Sequence, residues 1–170
     1  MSHLQQAVPN WVGTLGTNQW LIEKQVEGLS HEQSMIAPPF RANRLNWVIG
    51  HIVEHRDWML RALDENTLMT AKDVMLYRRG SEALQDDSPV MDLVSLMALM
   101  KRAKDCLISA ISQANEDFLI EKPQTGILLE SHKDKTRFER LQGLLWHETY
   151  HMGQLELLRQ LAGTNDAILK

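Results

Sequence analysis

Four stretches of the chain place apolar residues three and four positions apart, the spacing that gathers them on one face of an α-helix. The first begins near Asn10, a residue suited to capping a helix, and aligns Trp11, Leu15, Ile22, Val26 and Leu29. Gly13 and Gly16 weaken its first turns. Pro38-Pro39 then forces a break. Asn43 caps a second predicted helix, with Leu45, Val48, Ile52, Met59 and Leu63 at helical spacing. Residues 66–88 are polar and end in Gly80, Asp86 and Asp87, which predicts a long loop with one short helical piece. Ser88-Pro89 opens a third helix, a cap followed by proline at the first helical position, and its stripe runs through Leu93, Met97, Met100, Leu107 and Ile111. The fourth spans about Thr136 to Ala162 and is stopped by Gly163. The only strand-like material is Ile127-Leu128-Leu129, followed by a polar turn from Ser131 to Asp134, which predicts a short hairpin before the last helix. The expected fold is therefore all-α: one four-helix bundle domain covering residues 1–170.

Composition narrows the function classes. With 44% hydrophobic and 24% charged residues, a chain of 170 residues can bury a sizeable core and is not a disordered one. A net charge of −4 gives no electrostatic reason to expect nucleic acid or an anionic membrane as partner. The single cysteine, Cys106, excludes an internal disulfide and reads as a small apolar residue of the third helix. The first residues show neither the basic start nor the apolar run of a signal peptide, and no apolar run approaches the ~20 residues of a membrane helix, so a cytoplasmic protein is expected.

The last stripe carries an anomaly. Leu144, His147, His151, Leu155 and Leu158 share a face, so two histidines occupy positions that the pattern assigns to the interior. Histidines at i and i+4 project in the same direction and can ligate one ion. His51 lies on or beside the apolar face of the second helix, among Val48, Ile52 and Val53. Neighbouring antiparallel helices would bring it opposite the pair. Three buried imidazoles without partners are costly, and coordination satisfies one nitrogen of each. Taken singly, however, a histidine on an apolar face is more often a hydrogen-bonded core residue. The same letters also spell HExxH, the zincin signature, but Gln154 and Leu157 stand where a metzincin needs glycine and a third histidine. They spell one ExxH element of a di-iron bundle too, but the second helix offers only the reversed His51-Ile-Val-Glu54.

The segment Trp146-His-Glu-Thr-Tyr-His-Met-Gly-Gln-Leu155 resembles the signature of the DinB/YfiT-like family: histidine, three residues, histidine, then Gly-Gln. Asn43-Arg-Leu-Asn-Trp-Val-Ile-Gly-His51 is similar to that family's second-helix motif, which ends in its first histidine ligand. The likeness covers roughly residues 10–162 and rests on the order of these motifs. It implies a bundle often found as a homodimer and a divalent ion on His51, His147 and His151. Imidazole accepts zinc, nickel, iron and manganese, with zinc or nickel favoured. Three neutral ligands leave an open position for a water or a thiol. The resemblance favours an enzyme dependent on a low-molecular-weight thiol cosubstrate, an S-transferase acting on small electrophiles. The alternatives are a metal-dependent small-molecule hydrolase and a non-enzymatic, stress-associated metal- or ligand-binding protein. Glu148, beside a ligand, is the candidate catalytic base, and His55 reads as an exposed polar residue. Trp47, Trp58 and Trp146 are core aromatics or pocket walls, and Asn46 and Tyr150 are candidate polar lining groups.

Overall fold

Seven helices and no strand make up the described residues, 3–124 and 132–164 of a computed structural model, with side chains described from Gln6 onward. They are α1 (His3–Val26), α2 (His31–Ser34), α3 (Leu45–Ala62), α4 (Ala71–Tyr77), α5 (Leu93–Gln113), α6 (Glu116–Ile120) and α7 (Arg137–Leu161). The chain is all-helical there, as its periodicity predicts. The segment expected to form a hairpin, 127–129, lies outside the described residues.

Several boundaries differ from those read in the sequence. Helix α1 starts at His3, well before Asn10, and carries Pro9 in its interior. Ala7 and Val8 pack against the core and hold those turns despite the proline. Helix α3 is preceded by Arg44 rather than Asn43, and Arg44 gives no side-chain cap; its guanidinium instead bonds Met35 O and Asp86. Helix α5 is capped by Asp92, which accepts from Ser95 N at 3.0 Å. Ser88 spends its hydroxyl on the preceding turn, accepting from Gln85 N. The last helix matches its signals: Thr136 forms a capping box with Glu139, and Gly163 ends the helix at φ 89°.

The four long helices close a ring of pairings, α3 on α5 and α7, and α1 on the same two. Two apolar clusters fill its interior. One contains Ile22, Ile49, Ile52, Val53, Met100 and Leu155. The other contains Leu15, Met59, Leu60, Leu107, Ile111 and Leu141. Each long helix crosses from one cluster to the other, and at that level the fully buried Arg56 of α3 bonds to each of the other three long helices. It pairs with Glu148 of α7, donates to Gln19 Oε1 of α1 at 2.7 Å and to Met100 O of α5 at 2.8 Å. No helix of the described residues is long and apolar enough to cross a membrane.

Candidate metal centre

His51 of α3 and His147 and His151 of α7 face one another, and one nitrogen from each lies within 4.8 Å of the other two. His51 and His151 are buried and His147 is half-buried. The ring pairs have centroid separations of 5.3 Å (His51–His147), 5.0 Å (His51–His151) and 4.4 Å (His147–His151).

Hydrogen bonds fix the tautomers of two rings. The carbonyl of Tyr77 can only accept, so Nδ1 of His51, 2.7 Å away, carries the proton and Nε2 holds a bare lone pair. Nδ1 of His151 likewise donates to Gln154 Oε1 at 2.6 Å, leaving its Nε2 bare. That atom lies 3.2 Å from Nε2 of His147. Two nitrogens 3.2 Å apart subtend about 99° at an ion held at about 2.1 Å, an angle that tetrahedral or octahedral coordination accommodates. The donor set therefore fits a divalent cation.

The Tyr77 carbonyl is itself held in place. It lies at the last residue of α4, where helix carbonyls lack intrahelical partners. The Tyr77 hydroxyl donates to Asn46 Oδ1 at 3.1 Å and accepts from Met91 N, while Asn46 Nδ2 donates to Met91 O. The Tyr77 ring lies so close over Gly50 that a Cβ there would collide with it. Glycine beside His51 thus lets α4 approach α3. Trp47 stacks on the His51 ring at 4.5 Å, and its indole N–H is satisfied by Leu76 O and Ser81 Oγ.

Burial keeps these imidazoles neutral. Loss of solvent lowers the pKa of His51 to about 3 and that of His147 to about 4, and it lowers His151 as well. Neutral rings are the form that binds metals.

His55 is a correction to the sequence reading. It is not an exposed polar residue but is only 4% exposed, stacked on His147 with centroids 3.8 Å apart. With Glu54 and His51 it forms a second group of donor atoms, again within 4.8 Å of one another and entirely buried. Burial raises the Glu54 carboxyl to about 7 and lowers His55 below the usual imidazole range. The signal for His55 was present, since it follows His51 at the same i, i+4 spacing as His151 follows His147.

Glu148 is placed away from open space. Its two oxygens accept from Nη2 and Nε of Arg56 at 2.8 and 2.9 Å, and neither residue is exposed. Trp47 is a buried wall of the site, Trp58 is half-buried, and Trp146 and Tyr150 are exposed, stacked on each other with centroids 6.2 Å apart. A cavity of about 630 Å³ is bordered by Phe40, Arg41, Val48, Ser81, Gln154 and Leu157, and no histidine of the group lines it. Val48 and Gln154 each lie one helical turn from a histidine of the group.

In comparisons with known proteins the sequence matches no family model and no curated protein. What the residues can do follows from their own arrangement.

Proposed function

We propose that the chain is a metal-dependent enzyme for a small molecule, built as a four-helix bundle of the DinB/YfiT-like type. In this reading Nε2 of His51, His147 and His151 holds one tightly bound divalent ion, zinc or nickel by preference. The observation that carries it is the pair of outer hydrogen bonds. Tyr77 O and Gln154 Oε1 hold the protons of His51 and His151 on Nδ1, so that bare nitrogens meet at one point. A histidine packed in a core also bonds its N–H, but it has no need to bring its other nitrogen to a point shared with two further rings.

Three neutral ligands leave an ion its charge and an open position. A bound ion would supply Lewis acidity, lowering the pKa of a water or thiol placed there. The resemblance of the two histidine motifs favours the thiol, with hydrolysis on the same ion as the alternative. Glu148, the base expected from the sequence, has both oxygens engaged by Arg56 and is not placed to take a proton from a water on the ion. A thiol, with an ordinary pKa of about 8.5, ionises readily without such a base. The substrate class we assign is accordingly a small electrophile, conjugated to a low-molecular-weight thiol. The 630 Å³ cavity is of the size that takes such a molecule, and Trp47 screens His51 from water.

Tag-free protein should retain one ion per chain through desalting, and His147→Ala should lose it. Chelation should then abolish thiol consumption with model electrophiles. Wild-type protein that holds no ion after reconstitution would sink the reading. Thiol turnover that survives His147→Ala would detach it from this site, and chelator-sensitive ester hydrolysis without thiol turnover would replace transferase by hydrolase.

A further inference from the structure

Glu54 is 2% exposed, and only one of its oxygens is satisfied. Oε1 accepts from the Trp58 indole at 2.5 Å. Oε2 has no hydrogen-bond partner and lies 3.6 Å from Nε2 of His55 and 3.6 Å from Nδ1 of His51. At 3.6 Å neither contact is a hydrogen bond. A buried carboxylate oxygen left in that condition is costly. Arg61 and Arg78 act on it only from a distance.

The gap has a definite size. A water about 2.8 Å from both Glu54 Oε2 and His55 Nε2 would have to subtend about 80°, well short of its tetrahedral preference. A cation about 2.1 Å from each would subtend about 118°, close to tetrahedral. Carboxylate oxygen with imidazole nitrogen is a donor pair that zinc, iron and manganese accept.

We propose that Glu54 Oε2 and His55 Nε2 hold a second divalent cation beside the three-histidine position, so that the fully loaded protein carries two ions per chain. His51 borders both positions. Its Nε2 belongs to the first and its Nδ1–H is bonded to Tyr77, so water completes the second ion's shell. With two protein donors against three, the second ion binds more weakly than the first. The Glu54 carboxylate provides the anionic charge that the three imidazoles lack and so offsets part of the repulsion between neighbouring cations. The proposal rests on the reading of the first site, because it describes an addition to that centre.

Metal-stripped, tag-free protein should be titrated with zinc(II) by equilibrium dialysis, with folding of each variant checked by circular dichroism. Wild type should saturate at two ions per chain, the second binding at least tenfold more weakly. Glu54→Gln and His55→Asn should each saturate at one, and His147→Ala should lose the tighter ion. Saturation of wild type at one ion overturns the second position while leaving the first intact. A single ion that Glu54→Gln merely weakens also overturns it, since Glu54 would then act only through His51. Failure to bind any zinc removes the first site and this proposal together.

Discussion

Adjacent residues on the same two helices build two buried polar regions of opposite character. Arg56 and Glu148 face the interior, and their neighbours His55 and His147 face the metal centre. In the first region the guanidinium bonds partners on three other helices and both carboxylate oxygens are occupied. In the second, Oε2 of Glu54 is buried without a partner, and the Nε2 atoms of His51 and His151 carry no proton. A saturated polar cluster holds a structure together, whereas one with idle donor atoms at its centre is shaped for something from outside. The contrast separates Glu148 from Glu54: the first carboxylate completes the protein, and the second awaits completion.

The sharpest way to break this contrast is to truncate one member of each region. Arg56→Ala leaves the Glu148 charge buried and alone, and should cost about 3–5 kcal/mol in denaturant unfolding. His147→Ala removes a ring that already lacks a partner at Nδ1, and should change metal-free stability by less than about 1 kcal/mol while abolishing tight metal retention. Equal destabilisation by the two would erase the distinction.

Gly50→Ala tests how the site is supported. The new methyl would strike the Tyr77 ring, so a loss of about 1–3 kcal/mol is expected. Displacing the Tyr77 carbonyl from His51 should also weaken zinc binding roughly 10–100-fold. Unchanged zinc affinity in a destabilised variant would show that this carbonyl does not orient the ligand.

Acid should distinguish the regions more gently. In the metal-free protein His51, His55, His147 and His151 all have folded pKa values below the unfolded 6.5. Between pH 6.5 and about 4 the unfolded chain therefore binds more protons, and stability falls as pH falls. Glu54, raised to about 7, has the opposite sign: its contribution is present at low pH and is lost as pH rises toward 7. Five imidazoles, His132 included, against the buried carboxyls of Glu54 and Asp57 should leave a net fall in melting temperature from pH 7 to pH 5. A flat or rising profile would contradict the burial of these rings. The smallest effect belongs to Trp146→Ala. At 70% exposure the indole should contribute within about 0.5 kcal/mol of nothing to stability, and the variant should retain its ion.

Much of this was legible in the residues. The four stripes marked the long helices, and Thr136 and Gly163 marked the ends of the last one, because capping chemistry is local. Asn10 misled because packing of Ala7 and Val8 extends α1, and Ser88 because its hydroxyl is used in a local turn with Gln85. Three histidines on apolar stripes pointed to a shared centre. The partners that orient them divide by range. Gln154 follows His151 by one turn, but Tyr77 acts through its backbone carbonyl from a separate helix and leaves no side-chain signature. Glu148 and Arg56 were each readable as buried charges, since both continue the apolar stripes of their helices through Leu145 and Met152, and through Ile52 and Met59. HExxH drew attention to the letter beside the ligand rather than to the stripe it stood on.

The bond from His51 to Tyr77 has a mechanical consequence. It is a clasp between α3 and the crossover that leads from α3 to α5, residues 63–92, and the crossover also supplies Ser81 and Ala83 to the cavity wall. Anything that grips the far nitrogen of His51 stiffens the ring in that clasp. An ion on that nitrogen would therefore be linked, through a single ring, to the segment that carries Ser81 and Ala83.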